Sequence, residues 1–323
     1  TTSVAVNQPP TRGHYKGDSD YVEVVVSAEA PLFFMSALTD REFTVLGRAV
    51  AGVAGSSVCT WTLDKTAKHS FNATGTSRVT FTDCGIFVNS NDSQAARTAG
   101  SATVTAPAID VVGNYTGNGF SPAPRSGASQ LGDPFAELPM PTVGSCNYTN
   151  KKVSGTATLS PGVYCDGLTI NAGAKVTLNP GLYLVRGGGI TVNGTATVAG
   201  DGVTFFNTGG GSYSYDVITI NGGASVTLTA PASGATKGML FFDDRNYGAK
   251  GGQKHTLNGG SNVNLTGAMY FANTDLHLAG NFTGDGNKMI LAAKNITVNG
   301  NVDFEKRDVD MLPPVLAVAR VVE

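Results

Sequence analysis

The chain has 323 residues, 42 of them Gly and only 14% charged, with a formal net charge of −2. Hydrophobic residues make up 41%, which excludes wholesale disorder, and the Thr, Ser, Asn and Gly balance favours strands and tight turns over helical bundles. A near-neutral chain without a basic run excludes a phosphate-tracking nucleic-acid binder, and no apolar stretch approaches the ~20 residues of a membrane helix.

Residues 1–54 read as a small N-terminal α+β cap. Tyr21 to Ser27 predicts a strand, Ala28 to Leu38 a short helix with Pro31 in its first turn, and Glu42 to Val53 a second strand. A cap is expected because the last coil of a solenoid exposes apolar core and unpaired strand edges. The chain opens at Thr1 without Met, and is read as processed, truncated or incompletely recorded at that end.

Residues 55–323 predict a mainly β fold, a parallel β-helix solenoid, with a right-handed coil as the expectation. Its first part repeats at an offset near 25: Ser70-Phe71-Asn72 and Arg78-Val79-Thr80-Phe81 match Ala95-Ala96-Arg97 and Ala102-Thr103-Val104-Thr105. Two or three coils therefore run from about 56 to 114. A Pro/Gly-rich external loop or crossover follows at about 113–145, with a short apolar patch from Pro134 to Met140.

From Ser160 onward the repeat is plain. Pro161-Gly162-Val163-Tyr164 recurs 19 residues later as Pro180-Gly181-Leu182-Tyr183. A second phrase recurs as Leu168-Thr169-Ile170-Asn171, Ile190-Thr191-Val192-Asn193, Ile218-Thr219-Ile220-Asn221, His255-Thr256-Leu257-Asn258 and Ile296-Thr297-Val298-Asn299. A third recurs as Val176-Thr177-Leu178, Ala196-Thr197-Val198, Val226-Thr227-Leu228 and Val263-Asn264-Leu265. Each alternates apolar, polar, apolar, which sends the outer two side chains to one face and the middle one to the other. Six coils follow, starting near Val163, Leu182, Val203, Met239, Met269 and Met289, with Gly-rich insertions at Asn207 to Asp216 and Asp243 to Lys254. The apolar run Leu312 to Val322 is expected to cover the last coil or meet a partner.

Three sets of residues are singled out on this grid. Asn171, Asn193, Asn221, Asn258 and Asn299 predict a structural ladder of side-chain amides at turns that tolerate the left-handed conformation. Thr169, Thr191, Thr219, Thr256 and Thr297, with His277 between, form an outward row, and Thr177, Thr197, Thr227 and Asn264 a second. Such rows suit exposed strands and offer a possible binding face for glycan, ice or another subunit. Cys59 and Cys84 stand 25 residues apart, and Cys146 and Cys165 stand 19 apart. Both spacings equal local coil offsets, so two disulfides are predicted between adjacent coils, in an oxidising compartment. No Cys-x-x-Cys spacing exists and His14, His69, His255 and His277 are scattered, so no metal or other cofactor is expected.

A carboxylate cluster would be needed for catalysis on such a solenoid. The best grouping is Asp243, Asp244 and Arg245 with Lys250, Lys254 and His255, on one insertion. Neighbouring coils place Asn207 and Asn273 at comparable points, so repeated carboxylates are missing and a solvated loop is the simpler reading.

Asn7-Gln8-Pro9-Pro10, Gly13-His14-Tyr15, Tyr21-Val22-Glu23-Val24, Phe33-Phe34 and Arg48-Ala49-Val50-Ala51 resemble the C-terminal part of the TadE/TadG-like pilus-assembly module. Downstream, Cys59-Thr60-Trp61-Thr62-Leu63-Asp64, Cys84-Gly85-Ile86-Phe87-Val88-Asn89-Ser90, Asp133-Pro134-Phe135-Ala136, Pro161-Gly162-Val163-Tyr164-Cys165 and Asn179-Pro180-Gly181-Leu182-Tyr183 look like the long TadG-like bacterial proteins of that group. The resemblance covers most of the chain and implies work with Tad/Flp pili in assembly, anchoring or attachment. It implies no catalytic residues. Its members begin with a charged segment and a membrane helix, so contact with a membrane would run only through such a segment. The expectation is a non-enzymatic structural or adhesive component of a Tad-type pilus or bacterial surface, periplasmic or secreted. Its partners would be other pilus or surface proteins, a second copy or a glycan, and not nucleic acid. The rivals are a polysaccharide-processing enzyme built on the Asp243–His255 insertion and a passive binder built on the Thr rows.

Overall fold

The structure, a computed structural model, describes residues 2–18, 21–30, 43–53, 58–259, 263–282, 289–304 and 319–321. Among these residues all regular structure is strand, in two compact units.

One unit takes in both chain ends, Thr1–Ser57 and Leu316–Glu323. Strand β1 (Thr2–Asn7) pairs antiparallel with β2 (Tyr21–Ala30), β2 with β3 (Phe43–Val53), and β3 with the strand Ala319–Val321. The helix expected over Ala28 to Leu38 is corrected at its start. The β-branched run Val24-Val25-Val26 carries the strand on to Ala30, which pairs with Phe43. The rest of that expected helix lies outside the described residues. So does most of the apolar run Leu312 to Val322, but Ala319–Val321 joins this small sheet instead of a solenoid coil. The boundary after residue 54 is redrawn accordingly: the solenoid, Val58–Val315, is an insertion between β3 and the last strand.

Glu23 organises this unit from a fully buried position. Its carboxylate accepts bonds from Thr11 Oγ1 (2.6 Å), Thr11 N (3.1 Å), Asn7 Nδ2 (3.0 Å) and Arg48 Nε (2.6 Å). The Thr11 hydroxyl and then the Arg48 guanidinium hold its pKa down at about 2, against burial, which opposes ionisation. A lowered carboxylate pKa stabilises the fold above the ordinary value of 4.5, and that stabilisation is lost as pH falls through about 2. We expect the Thr11 amide proton shift to titrate with a midpoint near 2, and Glu23→Gln to abolish that step. A midpoint near the ordinary glutamate value would refute the assignment.

The solenoid coils carry three short strands each. First strands are apolar on both faces, whereas second and third strands alternate. Ile190–Val192 reads buried, half-buried, buried, but Val203–Thr208 and Met239–Asp243 are buried throughout. The inner row of first-strand rings stacks as Tyr148, Tyr164, Tyr183, Phe205, Phe241 and Phe271, with centroids 4.6 to 6.4 Å apart. Such offset aromatic contacts add to the apolar burial.

The stacking order departs from chain order. Starting at one end, coil 148–159 pairs with 162–178, then 181–200, 203–229, 239–266, 267–282 and 289–304. Coil 289–304 then stacks on coil 58–81, with Leu291 opposite Thr60, Ile296 opposite Phe71 and Val302 opposite Val79. Coils 85–105 and 109–121 and the short strand Arg125–Ser126 finish the other end. The chain therefore enters and leaves the solenoid at adjoining coils in mid-stack, not at an end. The sequence repeats locate coils from about 56 to 114 and the six starting near Val163 to Met289, but miss coil 148–159, and the external loop expected from about 113 is corrected to begin after Ser126, because Tyr115–Thr116, Phe120–Ser121 and Arg125–Ser126 pair into the stack.

Residues 127–147 are the return crossover. They lie along the outer face of the first strands, whose outward row runs Leu184, Phe206, Phe242, Tyr270, Ala292, Trp61 and Phe87. Ala128, Leu131, Phe135, Leu138, Val143 and Cys146 pack against the core. Gln130 Nε2 bonds Lys65 O (3.0 Å), Leu131 N bonds Asn89 Oδ1 (2.9 Å), and Asp133 accepts from the Tyr270 hydroxyl. The apolar patch Pro134 to Met140 is explained by Phe135, whose ring lies 5.2 Å from that of Tyr270. We call this segment the strap.

Candidate functional site

The second-strand face carries the main Thr row. Thr169, Thr191, Thr219, Thr256, His277 and Thr297 are successive partners, and the row continues to Lys152 at one end and to Asn72 and Arg97 at the other. All are half-buried except the exposed Lys152. Burial, and then the Lys254 ammonium, hold the His277 imidazole below its usual pKa, which favours its neutral form.

The second row is corrected at Thr197. Thr177 pairs with Ala199, and Ala199 with Thr227, while Thr197 pairs with Lys175 and Ser225. Only the third strand of coil 181–200 is thus shifted by two residues from the phrase alignment; Thr177, Thr227 and Asn264 share one row, with Ala199 in the place expected for Thr197. The same shift affects Gly162, which pairs with Tyr183 and not Gly181. A shift of two keeps every side chain on its own face, so alternation alone does not reveal it.

Asn171, Asn193 and Asn221 stand at turns, whereas Asn258 and Asn299 lie within the strands Lys254–Gly259 and Ile296–Phe304, and the set makes one link of the expected ladder, Asn221 Nδ2 to Asn193 Oδ1 at 3.3 Å. Asn171 donates to Ser154 Oγ (2.9 Å), Asn299 accepts from the Thr74 hydroxyl, and Asn258 faces Ala279. None of the five has a positive φ; that conformation falls two residues on, at Gly173, Thr195 and Gly223. The Asn carbonyls instead accept the turn-closing bonds from Ala174, Ala196 and Ala224. Asn171, Asn193 and Asn221 therefore occupy the first position of a four-residue turn whose third residue takes the left-handed region.

Both disulfides are present, Cys59–Cys84 with Cα atoms 5.5 Å apart and Cys146–Cys165 with 5.7 Å. Each joins neighbouring coils. Cys59 sits at a bulge between the Val58–Gly85 and Thr60–Ile86 pairs, and Cys146 precedes a strand in which Thr149 is the partner of Cys165. Two such bonds fit an oxidising compartment.

The insertion proposed for chemistry closes on itself. Asp243 pairs with Asn207, and both side chains are sealed from solvent, as is His255. Ile218 N donates to His255 Nδ1 (2.9 Å), so Nδ1 holds a lone pair and the proton is on Nε2. Nε2 then donates to Asp243 Oδ2 at 2.8 Å. Tyr215 Oη donates to the same oxygen at 2.5 Å and lies 2.9 Å from Thr274 Oγ1. Asn207 Nδ2 covers Asp243 Oδ1 at 3.2 Å. Burial, and then the Asp243 carboxylate, push the Tyr215 pKa up.

The neighbouring residues are also engaged within the protein. Asp244 accepts from Thr208 Oγ1 (2.8 Å) and Asn246 N (2.8 Å). Arg245 donates to the carbonyls of Phe135 (2.9 Å) and Leu138 (2.7 Å) and so fastens the strap. Lys250 and Lys254 are exposed. Asn273 is not at the Asp243 position, which falls beside Phe271; its amide bonds Arg245 O. This arrangement ties two insertions to the coil above and leaves the Asp243 carboxylate no open side for a substrate. Tyr215 and Thr274 were not found from the sequence, because neither lies in a repeating phrase.

The chain matches no family model, no curated protein and no solved structure.

Proposed function

We propose that the chain is a non-catalytic structural or adhesive component of a bacterial surface, of the Tad-pilus kind that its sequence resembles. The observation that carries this reading is the contrast between two regions. Asp243 and His255 are buried and bond each other, and Arg245 bonds the strap, whereas the Thr169–Thr297 row lies along an ordered, half-exposed face. A stiff rod stapled by two disulfides presents a surface and transmits load; it does not position a substrate. Its partners are pilus or surface proteins, a further copy or a glycan laid along that face.

The test is fractionation of the native protein beside purified pili, with non-reducing mass spectrometry. Co-purification with pili, carrying intact 59–84 and 146–165 bonds, supports the reading. A soluble, unassociated protein with free thiols overturns it. Turnover of a polysaccharide that is lost on Asp243→Asn, in protein shown to remain folded, would favour the enzyme instead.

A further inference from the structure

The boundary between coil 289–304 and coil 58–81 differs from every other boundary in the stack. Elsewhere one coil follows the next along the chain; here residues from opposite ends of the insertion meet. The coil on one side is also polar where its neighbours are apolar. Thr60 stands in the inner row between Leu291 and Ile86, and Thr62 between Ala293 and Val88. Thr60, Thr62, Ser70 and Ser77 are buried, and among the described residues their hydroxyl oxygens have no hydrogen-bond partner. Asn72 Oδ1 in the same coil and Asn295 Oδ1 in the facing one are likewise without a partner. By contrast the buried hydroxyl of Thr204 bonds Met239 O at 2.7 Å.

Buried polar atoms without partners weaken the interface that encloses them. Five of the six belong to coil 58–81, whose other boundary, with coil 85–105, is closed by chain continuity and by the Cys59–Cys84 bond, so the weakness falls on the boundary with coil 289–304. The strap crosses it, held to coils 58–81 and 85–105 by Gln130 and Leu131 and to coils 267–282 and 239–266 through Asp133 and Arg245. We propose that this boundary is a built-in seam at which the solenoid parts into two stacks, with the strap as one tether between them and the paired strands β3 and Ala319–Val321 as the other. The inference rests on the fold alone and not on the proposed surface role.

Hydrogen exchange on the intact, oxidised full chain tests it. The amides that bond across the seam are Leu63 to Ala293 O, Thr74 to Val298 O and Ile296 to Ser70 O. Their counterparts inside the continuous stack are Asn193 to Ile170 O, Thr197 to Ala174 O and Asn221 to Val192 O. The seam amides are expected to exchange at least about tenfold faster than the others. Thr60→Val with Thr62→Val, which removes two hydroxyls at nearly constant volume, is expected to slow the seam amides about tenfold or more and leave the others unchanged. Ser70→Ala is a milder second variant with the same expected direction. Equal protection on both sets of amides, or seam exchange indifferent to all three substitutions, overturns the proposal.

Discussion

Phe135→Ala is expected to lower the stability of the solenoid by about 3–5 kcal/mol, the range for removing a large buried aromatic side chain. Phe135 is the anchor of the strap, fully buried against Tyr270. Its carbonyl, together with that of Leu138, receives the Arg245 guanidinium. Removing the ring opens a cavity over an outward row that includes Phe242 and Tyr270, which have no other reason to be apolar on that side. Urea unfolding followed by the fluorescence of Trp61, the sole tryptophan and part of the same outward row, gives the measurement. Met140→Ala is the control; Met140 is 36% exposed, and its loss is expected to cost less than about 0.5 kcal/mol. Equal effects from the two substitutions would mean that the strap merely lies on the surface.

Asp243→Ala is expected to cost about 3–5 kcal/mol, as removal of one member of a buried charged network does. The substitution leaves the Tyr215 hydroxyl, the His255 Nε2–H and the Asn207 amide without their shared acceptor. It also frees the insertion that carries Tyr215, so faster proteolytic cleavage between 207 and 217 is expected alongside the lower unfolding midpoint. Asp243→Asn keeps one acceptor oxygen and is expected to fall between the wild type and Asp243→Ala. A double-mutant cycle with His255→Ala measures the coupling, expected at about 0.5–3 kcal/mol. Full stability in Asp243→Ala would show that the carboxylate is not held by this network.

How much of this was legible in the sequence differs from element to element. The disulfide partners followed from spacings of 25 and 19 residues, although Cys146 lies outside the strand that pairs with Cys165. The main Thr row followed because second strands have one outward position each and a fixed turn after it. The second row followed for Thr177, Thr227 and Asn264 but not for Thr197, since a two-residue shift leaves alternation intact. The Asp243–His255 residues were recognised as a group but read as a solvated loop. What encloses them comes from Asn207, Tyr215 and Thr274, through bonds that span 36 residues from Asn207 to Asp243, 28 from Tyr215 to Asp243 and 59 from Tyr215 to Thr274.

The sequence by itself determined the coil architecture, because alternation with period two, broken by Asn and Gly turns, decides which side chains point inward. Only the tertiary structure decided the order in which coils stack and what covers the first strands. Every coil presents the same row of backbone donors and acceptors at the same spacing of about 4.8 Å, so local pattern does not specify which coil follows which. The strap makes the permuted order possible. From Arg125–Ser126 to coil 148–159 the stack takes ten steps, or about 48 Å. The 21 residues of 127–147 reach about 70 Å when extended. That slack lets the chain return along the outer face, and the apolar residues it covers there are apolar because it returns.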